Sequence, residues 1–218
     1  MAAAACWAIT AHRMQGMDMG PGTPLGGLGW FAVVWLTMMA AMMLPSLVPM
    51  ALASRNAIVF TCGYLVTWVA AGALAYGVFA AVRSLDVSWL AWNRGGQYVA
   101  AGVILAAALY ELTPIKSACL RHCRDPELVA RRDEGPVLLT GVEHGAYCVG
   151  SSGALMAALF AVGMMNVTWM VVIAALVALE KLLPWRRPAV LAVALFVAAL
   201  ALAVAFAPGH VPGLTLPG

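Results

Sequence analysis

The sequence predicts an all-α fold, a polytopic membrane helix bundle of about six transmembrane helices. Three observations predict it. Of 218 residues, 64% are hydrophobic and only 10% are charged, and the mean hydropathy is +0.92. A soluble domain carries about 25% charged residues, so this chain lacks the charge to cover a water-facing globular surface. The apolar stretches are also continuous over roughly the 20 residues that a spanning helix needs. A transmembrane β-barrel would alternate polar and apolar residues in short segments. The same composition excludes a disordered chain. The net charge of +3 is too small to imply a polyanionic partner, and no nucleic-acid role is expected.

Taken in order, the predicted spans are 28–53, 57–82, 97–115, 137–162, a short one at 167–183, and 188–207. The apolar stretch 2–11 is too short to cross about 30 Å of hydrocarbon at about 1.5 Å per residue. It also lacks the basic flank of a signal peptide, since the first basic residue is Arg13. It reads as the stump of a helix if the true start lies upstream. The chain then divides into a short outward segment at 1–27, one transmembrane domain at 28–207 and a short outward tail at 208–218. Gly63, Gly72 and Gly77 in the second span suit close helix packing through small residues.

Charge orients the bundle. Arg55, Lys116, Arg121, Arg124, Arg131, Arg132, Lys181, Arg186 and Arg187 fall on one side of six spans. Arg13, Arg83 and Arg94 fall on the other. The positive-inside rule places the larger group in the cytoplasm and both termini outside. Trp30, Trp89 and Trp92 then sit at the height of an outer aromatic belt. Residues 116–136 become a cytoplasmic loop, which carries most of the polar chemistry.

Three of the five cysteines cluster around this loop: Cys119, Cys123 and Cys148. Cytosolic thiols are usually reduced, so metal or redox chemistry is expected before a structural disulfide. On a helix Cys119 and Cys123 stand four residues apart on one face, with His122 one turn from Cys119. His144 and Cys148 repeat the four-residue spacing. Brought together, Cys119, Cys123, His144 and Cys148 form a thiolate-rich ligand set, with His122 in reserve. Glu143 would orient His144 or take a proton on loading. Soft thiolates with imidazole suit Cu(I), zinc or iron. The competing reading makes these cysteines small buried hydrophobes.

Glu111, Glu143 and Glu180 converge on the same face. A carboxylate at bilayer depth turns to a bundle interior or cavity, unless it sits at interface height and pairs with Lys116, Lys181 or a nearby arginine. The methionines form a second cluster. Met38 and Met42 share one helix face, as do Met39 and Met43, ahead of Pro45 and Pro49, which are expected to break the helix. Thioethers bind Cu(I), yet a methionine stripe also fills irregular gaps in packed helices. Met14, Met17 and Met19 flank Asp18 in a short stretch that resembles a weak copper-capturing tail. Gly150-Ser151-Ser152-Gly153 has the G-x-S-G form of rhomboid proteases. His144, about 12 Å from Ser152 along a helix, is too far to serve as its base.

In order, the chain carries Trp35-Leu36-Thr37-Met38-Met39-Ala40-Ala41-Met42-Met43-Leu44-Pro45-Ser46, Tyr110-Glu111-Leu112-Thr113-Pro114-Ile115-Lys116 and Cys119-Leu120-Arg121-His122-Cys123-Arg124. His144-Gly145-Ala146-Tyr147-Cys148-Val149-Gly150, Ala154-Leu155-Met156, Met164-Met165-Asn166 and Glu180-Lys181-Leu182 follow. Over about residues 30–184 this resembles a bacterial family described as predicted metal-binding integral membrane proteins of unknown function. The resemblance implies a multi-pass protein of the bacterial inner membrane that binds metal. Many such relatives carry Cys-Cys-Trp where this chain has Ser151, Ser152 and Gly153, so a smaller ligand set is implied here.

The functional expectation is a membrane protein that binds a transition metal, copper first and zinc second, through Cys119, Cys123, His144 and Cys148, with His122 and Glu143 in support. It would serve metal handling or metalloprotein assembly, with the lipid bilayer and a metalloprotein or membrane complex as partners. A non-catalytic structural subunit of a membrane complex is the alternative. A thiol oxidoreductase fits less well, because no C-x-x-C spacing is present. No catalytic residue is expected.

Overall fold

The computed structural model describes Trp7, His12 and residues 27–84, 95–132, 135–163, 166–183 and 186–211. These residues form eight α-helices and a short 3-10 turn. The helices are α1 (Leu28–Ala53), α2 (Ala57–Ser84), α3 (Gln97–Glu111), α4 (Pro114–Cys123), α5 (Pro126–Arg132), α6 (Val137–Val162), α7 (Val167–Leu182) and α8 (Arg186–Phe206). The all-α expectation holds over these residues. Residues 1–6 and 212–218, the methionines at 14, 17 and 19, and Trp89 and Trp92 lie outside the description.

Four helices, α1, α2, α6 and α8, are long and apolar enough to cross a membrane. The expected third span is not one straight helix. It breaks after Glu111 and turns by 70° into α4. Pro114 explains the break, because a residue before proline is driven out of the helical region. Thr113 is accordingly extended, and its side chain caps α4 by accepting from the Lys116 amide. Counted as one bent span, the pair brings the total to five. The expected short fifth span, α7, has 16 residues, about 24 Å of helix against about 30 Å of hydrocarbon. Large apolar side chains remain on the outside of the bundle, among them Leu52, Ile58, Leu74, Leu195 and Phe206. Such a surface suits lipid contact.

The expected loop at 116–136 is mostly helical, as α4 and α5. The expected break at Pro45 and Pro49 does not occur, and α1 runs through both. The two prolines stand four residues apart on the exposed side. Met38, Met39, Met42, Met43 and Met50 are buried on the other side of the helix.

Helix α6 is the organising element. It packs along α2, α3 and α4. The α2–α6 contact is made backbone to backbone. A Cβ at Gly63 would collide with the Leu138 carbonyl, and one at Gly141 with the Phe60 carbonyl. Thr67 crosses the same seam and donates to the Val142 carbonyl at 3.0 Å. Gly72 leaves a notch for the Trp35 indole of α1, whose Nε1 donates to the Trp68 carbonyl at 2.7 Å. Gly63 and Gly72 therefore act as expected, whereas Gly77 faces open space. Helix α6 ends at Gly163, whose φ of +124° suits glycine. Asn166 then caps α7 by accepting from the Thr168 and Trp169 amides.

Candidate metal centre

Three of the basic residues assigned to one side, Arg55, Lys116 and Arg124, make contacts at helix ends. Arg55 donates to the Gly135 carbonyl at 2.8 Å. Arg124, at the end of α4, donates to the Leu183 carbonyl just past α7. Lys116 of α4 pairs with both Glu111 of α3 and Glu180 of α7, and all three are buried. Three helix ends are thus tied by one ionic cluster of two carboxylates and one ammonium. Glu111 and Glu180 both choose Lys116, although Glu180 is followed directly by Lys181.

Close by lies a set of sulfur atoms. Cys123 ends α4 and Cys148 stands mid-way along α6; both are buried free thiols, and their side chains interact. The tight α2–α6 seam carries the Tyr64 hydroxyl to within 3.0 Å of the Cys148 sulfur. Cys123 lies 3.6 Å from the Ser151 hydroxyl, which donates back to the Cys148 carbonyl at 3.0 Å. From α7, Lys181 places its Nζ 2.8 Å from the Cys148 sulfur and 3.9 Å from the Met43 sulfur of α1. Five helices thus deliver side chains to one sulfur-rich point.

The other expected ligands lie around this point but are dispersed. His144 is buried one turn before Cys148, its ring against Phe60 at 5.5 Å and Tyr64 at 6.0 Å between centroids. Cys119 is half-buried; its sulfur lies against Gly150, 2.7 Å from where a Cβ would stand. His122 stacks on Tyr147 with centroids 4.2 Å apart, and its Nδ1 is 3.1 Å from the Ala118 carbonyl. Glu143 is half-buried on α6. Among the described residues, no three His, Cys, Asp or Glu side chains come together as a metal-holding group.

So Cys123 and Cys148 meet, while Cys119, His122, His144 and Glu143 flank them. The other cysteine pairing, Cys119 with Cys123, turns its two sulfurs to different neighbours. Ser152 faces the Ser151 hydroxyl at 3.4 Å. Tyr64 and the sulfur contact of Lys181 escaped sequence reasoning. Tyr64 is a lone hydroxyl in an apolar helix, a signal easily taken for packing. Lys181 follows a glutamate, and its nearest partner by sequence was that carboxylate.

The donor chemistry is soft. Two thiols and one thioether around one point suit Cu(I) far better than a hard divalent ion. No curated protein and no solved structure shows significant similarity to the chain. Residues 32–204 match the family model described as PpoB2, copper chaperone, and the chain belongs to that family.

Proposed function

We propose that this protein is an integral membrane copper handler that holds Cu(I) as cargo at Cys123 and Cys148 and passes it on toward a metalloprotein. The convergence of Cys123, Cys148 and Met43 on one point inside the bundle, through Ser151 and Lys181, carries this reading. Family membership supports copper and lends nothing to zinc. Buried thiolates with a nearby thioether bind a soft monovalent ion and exclude harder ions through donor type.

Cys119 and His144 belong to the same two helices and are further donors in this reading. Cys119 is half-buried, so it serves entry or exit of the ion while the buried pair retains it. His122, stacked on Tyr147, is a reserve donor near Cys119, and Glu143 is a polar neighbour of His144. The side assigned the larger group of basic residues is the cytoplasmic side by the positive-inside rule.

The test is copper content. Protein purified gently in detergent from copper-replete cells should carry near-stoichiometric copper. Cys123→Ser with Cys148→Ser should remove it. An unmutated protein without copper defeats the proposal. A stable membrane partner, combined with Cys→Ser variants that retain full function in cells, would favour the structural-subunit reading.

A further inference from the structure

Lysine beside sulfur is an unusual choice here. Helix α7 is apolar apart from Glu180 and Lys181 near its end and two hydroxyl or indole groups near its start. The Glu180 carboxylate is within electrostatic reach, yet the Lys181 ammonium reaches across to α6 and α1. There it contacts the Cys148 sulfur at 2.8 Å and the Met43 sulfur at 3.9 Å. A thioether is a weak hydrogen-bond acceptor, so Met43 gains little from an ammonium. It is a good donor to Cu(I). The arrangement has the donors and the charge of a monovalent soft-metal site, with an ammonium where the ion would stand.

We propose that Met43, Cys148 and Cys123 form a Cu(I) site whose resident cation is the Lys181 ammonium, and that copper and Lys181 exchange places. This rests on the copper-handling reading above. With Cys148 as the thiolate that faces the ammonium and Cys123 keeping its proton, the exchange is one positive charge for one positive charge. The displaced ammonium has a destination: Glu111, Lys116 and Glu180 together carry two carboxylates and one ammonium, leaving one negative charge uncompensated. Lys181 already lies within electrostatic reach of Glu180. Its four-carbon stem is flexible enough to swing between the two positions. Loading therefore leaves the sulfur site with no added charge and neutralises the Glu111–Lys116–Glu180 cluster, and the returning ammonium assists release.

The experiment compares unmutated protein, Lys181→Leu and Met43→Leu in detergent, with Cu(I) titrated against a colorimetric Cu(I) chelator. Lys181→Leu removes the ammonium without adding a sulfur donor; it should bind Cu(I) about tenfold more tightly and release it more slowly, because nothing competes for the sulfurs. Met43→Leu should bind about tenfold more weakly. Unchanged or weaker binding by Lys181→Leu overturns the exchange, even where Cys148→Ser abolishes binding and the copper-handling reading survives. No Cu(I) binding by the unmutated protein defeats that reading and the exchange with it. A second measurement covers variants that fail to fold. In unmutated protein labelled with ¹⁵N-lysine, Ag(I), a redox-inert monovalent probe, should shift the Lys181 side-chain resonance. A resonance unmoved at saturating Ag(I) overturns the exchange.

Discussion

The Nζ of Lys181 lies 2.8 Å from the Sγ of Cys148. The two residues stand on neighbouring helices, α7 and α6, and the Tyr64 hydroxyl approaches the same sulfur from α2 at 3.0 Å. Cys148 is therefore held by polar groups from two sides while Cys123 and Met43 approach from others. A sulfur surrounded in this way is placed, which distinguishes it from a cysteine that merely fills space.

The first prediction concerns Tyr64. Tyr64→Phe removes a hydroxyl that contacts Cys148 and leaves the ring in place. A net hydrogen bond contributes about 1 kcal/mol, so a modest fall in thermal stability is expected. The more specific effect is on the thiol: alkylation of Cys148 by a small reagent should change in rate, while alkylation of the exposed Cys62 should not. Equal changes at both cysteines would mean general loosening of the bundle.

The helix seam is the second. Gly63 and Gly141 face the carbonyls of Leu138 and Phe60, and helix backbones cannot yield to a new methyl as a flexible side chain can. Overpacking of this kind costs about 1–3 kcal/mol. Gly141→Ala should therefore lower the unfolding temperature in detergent, and copper binding should weaken with it, because the seam positions Tyr64 and Cys148. Gly77→Ala, with nothing near its Cβ, should leave both measurements unchanged. An equal loss at Gly77 would contradict the seam argument.

How much of this was readable from the residues depends on the range of the interaction. Helix identity follows from apolar length, and the break at Pro114 follows from local chemistry that a hydropathy window smooths over. The four-residue spacings of Cys119 with Cys123, and of His144 with Cys148, mark two faces correctly as helical. Spacing cannot say how the two faces rotate against each other. That rotation is set where α4 packs on α6, with Cys119 seated against Gly150 and Cys123 turned to Ser151 and Cys148. The partners of Glu111 and Glu180 were equally open, because Lys116 and Lys181 are both near in sequence. The 70° turn after Glu111 decides between them by folding Lys116 back under α3.

A third prediction uses the cap of α7. Asn166 accepts from the Thr168 and Trp169 amides at 2.9 and 3.3 Å. Replacing such a cap by alanine costs about 0.5–2 kcal/mol. Asn166→Ala should destabilise the protein by that amount. Because α7 carries Glu180 and Lys181 at its far end, the variant should leave copper stoichiometry intact. Loss of copper would show that α7 shifts as a whole when its start is loosened.

The last prediction separates the net worth of a buried ionic cluster from the cost of leaving it half made. Glu111, Lys116 and Glu180 are all buried and join α3, α4 and α7. Taking such charges out of water is expensive, and their mutual attraction repays this only while every partner is present. Lys116→Met leaves two carboxylates facing each other without their cation, and a cost of about 3–5 kcal/mol is expected. The triple variant Glu111→Gln, Lys116→Met, Glu180→Gln removes all three formal charges at once. It should be more stable than Lys116→Met alone, although it carries two more substitutions. Unfolding temperatures in the same detergent make the comparison. A triple variant as unstable as the single one would mean that the cluster acts through side-chain shape, and that its negative charge is not available to receive Lys181.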